Sequence, residues 1–184
     1  MGDKMTTVGF IGLGNVGGKL AGSILRNGLP LMVRDLDRDA AAPFLEAGAQ
    51  WADSPKAMAE ACDIVITCLP SPAASAAVME ADDGILAGLS VGKVWAEMST
   101  TDEAEVKRLG TMVRAVGADP VDCPVSGGCH RAATGNIDIF AGCVRDVFAR
   151  LLPVLTVLGR RVLHTGPLGS ASVLKVVTNY LATA

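Results

Sequence analysis

The sequence is poor in features that would tie it to a nucleic acid, a membrane or a metal. No basic stripe runs along it, and 16 Lys and Arg against 19 Asp and Glu leave a formal charge of −3, which speaks against a nucleic-acid partner. No apolar run approaches the roughly 18 to 20 residues of a membrane span, and no charged-then-apolar segment precedes the first strand. No membrane partner and a cytoplasmic location are therefore expected. The five cysteines, Cys62, Cys68, Cys123, Cys129 and Cys143, are odd in number and contain no C-x-x-C pair, so buried reduced thiols are expected and no metal. Ser126 has no His and acid partners in sequence, which leaves a serine-hydrolase reading without support.

What is present suits an α/β enzyme: half of the residues are hydrophobic, 21 are glycine and only 19% are charged. The 184 residues make one domain of generous size, able to bury roughly 70% of its extended surface. Apolar runs of strand length alternate with helical stretches, with strand candidates at Thr7 to Ile11, Leu31 to Asp35, Ile64 to Leu69, Lys93 to Glu97, Pro120 to Cys123, Ile137 to Ala141 and Arg161 to His164. That alternation predicts a doubly wound, mostly parallel Rossmann-type sheet.

The motif that carries chemistry follows the first strand. Gly12-Leu13-Gly14-Asn15-Val16-Gly17 has the G-x-G-x-x-G arrangement and opens a helix on which Val16, Leu20 and Ile24 share a face. Gly12 permits the tight turn, Gly14 clears the approach of a pyrophosphate, and Gly17, with Gly18, Ala21 and Gly22, lets the helix pack closely. Gly28 then ends the helix as a C-terminal glycine does. Amide groups at the helix start face the anion. Asp35 closes the second strand 18 residues beyond Gly17, near the spacing at which an acid grips the adenosine ribose. A carboxylate there favours NAD over NADP. Arg34, which should alternate away from the ribose side, and Arg38, in the following turn, are the route by which NADP remains the weaker alternative.

The last stretch, Ser170 to Ala184, reads as helical throughout with Lys175 as its only charge. A helix without a polar side must be covered by another domain, a partner subunit or both. The sequence ends in mid-helix with no closing signal, so a truncation at Ala184 is expected. Lys175 is the candidate for proton transfer: a lone ammonium in apolar surroundings is desolvated, which lowers its pKa toward the useful range. Asn179, four residues on, projects from the same face. A snorkelling surface lysine is the alternative.

These residues resemble the β-hydroxyacid dehydrogenase family, which includes 3-hydroxyisobutyrate, tartronate-semialdehyde and 6-phosphogluconate dehydrogenases. The likeness runs in order through Val8-Gly9-Phe10-Ile11-Gly12-Leu13-Gly14-Asn15, Cys68-Leu69-Pro70, Met98-Ser99-Thr100, Pro124-Val125-Ser126-Gly127-Gly128, and Gly166, Gly169, Lys175 and Asn179. It implies that Leu69, Pro70 and Thr100 line the cofactor and that Ser126, Gly127 and Gly128 hold the carboxylate of a small hydroxy acid, with Lys175 and Asn179 at the reacting oxygen. A hydroxyl beside two glycines is a plausible anion concavity, although a plain turn would explain the glycines equally. The resemblance further implies a nicotinamide-binding domain over residues 1–168 and, over 169–184, the start of a long inter-domain helix. That helix would lead to a C-terminal all-helical domain, and the full-length protein would be a homo-oligomer.

Several positions depart from the family pattern. Thr178 stands where many members have a second asparagine, Glu97 replaces the usual aspartate, and His130 and Arg131 follow Gly128 where small residues are common. Arg131 is either a solvated loop cation or a fork of donors that selects an acid-bearing substrate. His164 reads as structural. The alternatives to a dehydrogenase are a non-catalytic NAD(P)-binding module and an imine-reductase-like enzyme, in whose relatives the lysine is replaced.

Overall fold

Strand and helix alternate as expected over residues 5–183, which the computed structural model describes. In chain order the elements are β1 (Val8–Ile11), α1 (Gly17–Arg26), β2 (Leu31–Arg34), a 3-10 turn (Arg38–Ala41), α2 (Ala42–Glu46), β3 (Gln50–Trp51), α3 (Pro55–Ala61), β4 (Ile64–Thr67), α4 (Pro72–Glu80) and α5 (Ile85–Gly88). There follow β5 (Val94–Glu97), α6 (Glu103–Ala115), β6 (Asp119–Asp122), β7 (Val125–Ser126), α7 (Gly128–Ala133), β8 (Asp138–Gly142), α8 (Arg145–Leu158), β9 (Arg161–Gly166) and α9 (Ser170–Thr183).

The strands form one sheet in the order β3-β2-β1-β4-β5-β6-β8-β7, with β9 on β8. From β3 to β6 every pairing is parallel, β8 runs antiparallel to β6 and β7, and β9 returns parallel to β8. The order reverses direction between β1 and β4. This is a doubly wound α/β sheet, and ligands of such sheets sit outside the carboxyl ends of the strands at that switch point.

Alternate side chains of the central strands feed two cores. Phe10, Ile66 and Ala96 pack with Leu20, Ile24 and Leu151 on the face that α1 and α8 cover. Val65 and Trp95 pack with Met58, Leu109 and Val113 of α3 and α6 on the other. Both faces being buried explains why these strands are near-continuous apolar runs. The short strands β3 and β7 carry two residues each and leave no periodic signal in sequence.

Two expectations about helix α1 are refined. Gly28 adopts φ 75 directly after the helix, and its amide donates to Leu25 O, as a terminating glycine should. Gly22, expected to face the sheet, does not: a Cβ there would meet only the Arg26 guanidinium, so its smallness is not needed for packing on the strands. All five cysteines are free thiols. Burial pushes the Cys62 thiol up to about 11 and that of Cys68 to about 12.

Helix α9 has two unlike sides. Ala171 and Ser172 are buried, whereas Val173, Val176, Val177, Tyr180 and Leu181 are exposed, the last two at 72% and 69%. The side chains left open recur at three- and four-residue steps, which is one stripe of a helix. Among the described residues no helix is long and apolar enough to cross a membrane.

Candidate active site

The carboxyl ends of β1, β4 and β5 open onto a cleft of about 930 Å³ that reaches from Asp35 to Lys175. The fingerprint turn forms its floor. Gly12 has φ 97, and a Cβ on it would overlap the Cys68 carbonyl oxygen; a Cβ on Gly17 would overlap the carbonyl oxygen of Gly12. Those two glycines are demanded by the chain's own backbone. Gly14 is different, because a Cβ there would meet nothing within 4 Å and its φ is not positive. Its smallness is not required by the chain's own atoms.

Helix α1 starts without a side-chain cap and without an acid in its first turn, whereas Ser54, Ser71 and Asp102 cap α3, α4 and α6. The positive end of the α1 dipole is thus left for an anion in the cleft. Asp35 accepts from the Leu13 amide at 2.6 Å on Oδ2 and from the Asp37 amide at 3.0 Å on Oδ1. Two donors leave about half of the lone-pair capacity of a carboxylate for ribose hydroxyls. The bare Gly14, the uncapped helix and the oriented acid fit a dinucleotide.

Arg34 alternates with its buried neighbour Val33 as expected, yet its long side chain reaches the cleft wall beside Asp35. Its guanidinium is nonetheless engaged, donating to the carbonyls of Ala52 at 2.9 Å and Asp53 at 2.7 Å. Arg34 and Arg38 both lie over the Trp51 ring, 5.6 and 5.1 Å from its centroid.

Of the other residues singled out in the sequence, Asn15, Val16, Leu69, Pro70, Thr100, Gly128, Lys175 and Asn179 line this same cleft. Leu13 sits behind it in the core, only 7% exposed, and contributes its amide. Lys175 and Asn179 project one helical turn apart from α9. Burial lowers the Lys175 ammonium below its ordinary value. Ser126, Gly127 and Arg131 are not in the wall: Ser126 is held in β7 opposite Asp138, and Arg131 is exposed on α7 with its stem over Gly127. His164 is taken up structurally. It receives a bond from Arg145 on Nδ1, which leaves Nε2 to donate to Cys143 O at 2.9 Å, and its ring stacks near Phe148.

Three residues that support the site were not recognised as such in sequence. Thr67, Glu97 and Asp122 end their strands in one register row, and all are essentially inaccessible. Thr67 Oγ1 accepts from Trp95 Nε1 at 3.0 Å. Glu97 Oε1 accepts from the Ser99 amide at 2.8 Å, and Ser99 Oγ in turn accepts from the Leu69 amide at 2.7 Å. Asp122 accepts from the amides of Gly169 and Ser172, both at 2.8 Å, and from Ser172 Oγ at 3.0 Å, so a strand-end acid ties down the start of the helix that carries Lys175. Burial raises the pKa of both acids, against the hydrogen bonds that oppose it. The available signal was a polar residue at the end of an apolar strand for Thr67 and Glu97; β6 already carries Asp119, so Asp122 gave none.

Fold, switch-point cleft and fingerprint define a dinucleotide-binding Rossmann domain. Residues 7–166 match the family described as the NAD binding domain of 6-phosphogluconate dehydrogenase, and the chain belongs to that family, the NAD-binding part of the β-hydroxyacid dehydrogenases. It is 39% identical over 176 residues to the mitochondrial 3-hydroxyisobutyrate dehydrogenase of Rattus norvegicus, covering 96% of this chain and 52% of the relative. With the 2-(hydroxymethyl)glutarate dehydrogenase of Eubacterium barkeri it shares 33% identity, over 97% of this chain and 60% of that one. The chain thus spans about half to three fifths of the curated relatives it matches. Among solved structures, Psf3 in complex with NADP+ and 2-OPP superposes with a TM-score of 0.90 at 30% identity, covering 94% of this chain and 61% of that one. An imine reductase from Myxococcus stipitatus in complex with NADP+ shares the fold at a TM-score of 0.89 and 22% identity, over 96% of this chain and 61% of that one.

Proposed function

We propose that the whole protein is an oxidoreductase that passes a hydride between a small β-hydroxy acid and a nicotinamide dinucleotide, giving the semialdehyde reversibly. The observation that carries this reading is that Lys175 and Asn179 face the cleft that also holds the glycine fingerprint. The bound nicotinamide supplies the hydride acceptor. Lys175, as the neutral amine, takes the hydroxyl proton as the carbon loses its hydride; in the reverse direction the ammonium returns that proton to the carbonyl oxygen. Desolvation of Lys175 favours the neutral form that the oxidation needs. Asn179 orients the same oxygen.

NAD is the preferred cofactor in this reading, because Asp35 would repel a 2′-phosphate while Arg34 is engaged by two carbonyls. Gly128, which lines the cleft, marks the end that takes the substrate carboxylate; Ser126 and Gly127 adjoin it from outside the wall and join it only once substrate and the covering domain close on that end, with Arg131 favouring an acid from the rim. Residues 169–184 begin an inter-domain helix, and the open stripe of α9 is covered by a helical domain in a homo-oligomer. The cytoplasmic location is part of the proposal, and the name of the rat relative, a mitochondrial enzyme, speaks against it.

The test is steady-state turnover of 3-hydroxyisobutyrate with NAD and with NADP by the full-length protein. Lys175→Met should lower kcat by about 10²- to 10⁴-fold with the dissociation constant for NAD unchanged. Oxidation should rise with pH through the lowered Lys175 pKa, and reduction should fall. Near-normal turnover in Lys175→Met would remove the mechanism and favour an imine-reductase-like enzyme, whereas NAD binding without turnover in the full-length parent would favour a non-catalytic cofactor module. Arg131→Ala should weaken acid-bearing aldehydes more than uncharged ones; equal losses would remove its role.

A further inference from the structure

Behind the cleft wall lies a carboxyl group whose bonding is half complete. Glu97 is 1% exposed, and Ser99's amide occupies Oε1 while Oε2 has no partner among the described residues. Ser75 Oγ, on α4, is likewise buried and unpartnered. The hydroxyls of Ser75 and Thr67 bear on the Glu97 carboxyl and as donors favour its charge, but burial outweighs them. An ionised carboxylate at such a place would carry a buried charge with no cation to offset it. A proton on Oε2 removes that charge and makes the oxygen a donor for the unpartnered Ser75 Oγ.

The surroundings agree. The titratable groups beside Glu97 are the thiols of Cys68, after β4, and Cys123, after β6, both held neutral by burial, and the acid Asp122, its register partner on β6. Helix α4 presents the uncharged Ser75. No cation among these neighbours compensates a charge on Glu97. The bonds that leave Glu97 reach the cofactor loops: from Oε1 to the Ser99 amide, and from Ser99 Oγ to the Leu69 amide. Ser99 and Leu69 both line the cleft.

We propose that Glu97 is a positioning residue that works as a neutral acid, accepting from the Ser99 amide on one oxygen and donating its own proton to Ser75 Oγ. In that state it fixes the spacing of the two loops, 68–70 and 98–100, that wall the dinucleotide cleft. The proposal deepens the reading of this cleft as the dinucleotide site and rests on it. Ionisation of Glu97 breaks the bond to Ser75, adds a buried charge beside Asp122 and loosens both loops. Cofactor affinity therefore falls as pH rises through the Glu97 pKa.

The experiment measures two quantities on the chain and on Glu97→Gln and Glu97→Ala: amide hydrogen exchange at Leu69 and Ser99 without ligand, and the NAD dissociation constant from pH 5 to 9. An amide side chain reproduces the neutral acid, since it accepts on one atom and donates from the other. Glu97→Gln should keep both amides protected and bind within about twofold of the parent, with the pH-dependent loss abolished. Glu97→Ala should expose both amides and weaken binding by about tenfold or more. Equal damage in the two variants would overturn the neutral-acid role, and parental protection and affinity in Glu97→Ala would overturn the positioning role. If Glu97→Ala does not fold, Ser75→Ala replaces it: with the acceptor of the Glu97 proton gone, the loss of protection should move to lower pH, and an unchanged pH profile there overturns the proposal. Failure of the parent chain to bind NAD at any pH would count against the dinucleotide reading, while exchange at Leu69 and Ser99 still decides the role of Glu97.

Discussion

The fingerprint turn and helix α9 face each other across the same cleft, yet they are built on different terms. In the turn, Gly12 and Gly17 are required by carbonyl oxygens of the chain itself, and Asp35 is held by the amides of Leu13 and Asp37. Its shape is complete within the domain. Helix α9 is anchored at its start by Asp122 but leaves Val173, Val176, Val177, Tyr180 and Leu181 open. The cofactor side of the cleft is thus preorganised by local contacts, while the proton-transfer side depends on a distant acid and on whatever covers α9. Covering a large aliphatic side chain is worth about 1.5–3 kcal/mol, so the open stripe is a substantial reservoir of docking energy.

The largest effect that would break this contrast comes from the turn. Gly17→Ala forces a Cβ onto the Gly12 carbonyl oxygen and should cost about 3 kcal/mol or more of unfolding free energy, read from urea denaturation. A loss near zero would show that the turn adjusts freely and is not preorganised. Asp122→Ala comes next: it leaves two amides and a hydroxyl at the start of α9 without their acceptor and should cost about 2–4 kcal/mol. If α9 kept its hydrogen-exchange protection in that variant, Asp122 would not be its anchor.

Gly14→Ala sharpens the comparison within the turn. Since no protein atom lies within 4 Å of the new Cβ, stability should change by less than about 1 kcal/mol, with NAD binding about tenfold weaker by titration calorimetry. Unchanged affinity would mean that the pyrophosphate does not pass over Gly14. The smallest effect is expected at the open stripe, where Leu181→Lys should alter stability of this chain by no more than about 0.5 kcal/mol. The same substitution should be costly in the full-length protein; indifference there would show that α9 remains uncovered.

Much of this was legible in sequence because it is local. The strand-turn-helix of the fingerprint, the terminating Gly28 and the spacing to Asp35 depend on residues close along the chain, and the near-continuous apolar runs announce strands buried on both faces. The strands β3 and β7 were not legible, because two residues carry no period. Arg34 alternates as a strand residue should, but its long side chain reaches the cleft wall, and its engagement by the carbonyls of Ala52 and Asp53 depends on a neighbouring strand.

The sequence by itself determined the doubly wound fold, the place of the dinucleotide turn and the pairing of Lys175 with Asn179 on one helix face, since each follows from backbone periodicity and local sterics. Only the tertiary structure decided the rest. It put Thr67, Glu97 and Asp122 into one buried row, tied Leu69 to Ser99 and Gly169 to Asp122, and set Ser126 and Arg131 outside the cleft wall. Those partners lie 25 to 47 residues apart, and what brings them together is the register of neighbouring strands. Register is a property of the assembled sheet, which no single segment encodes.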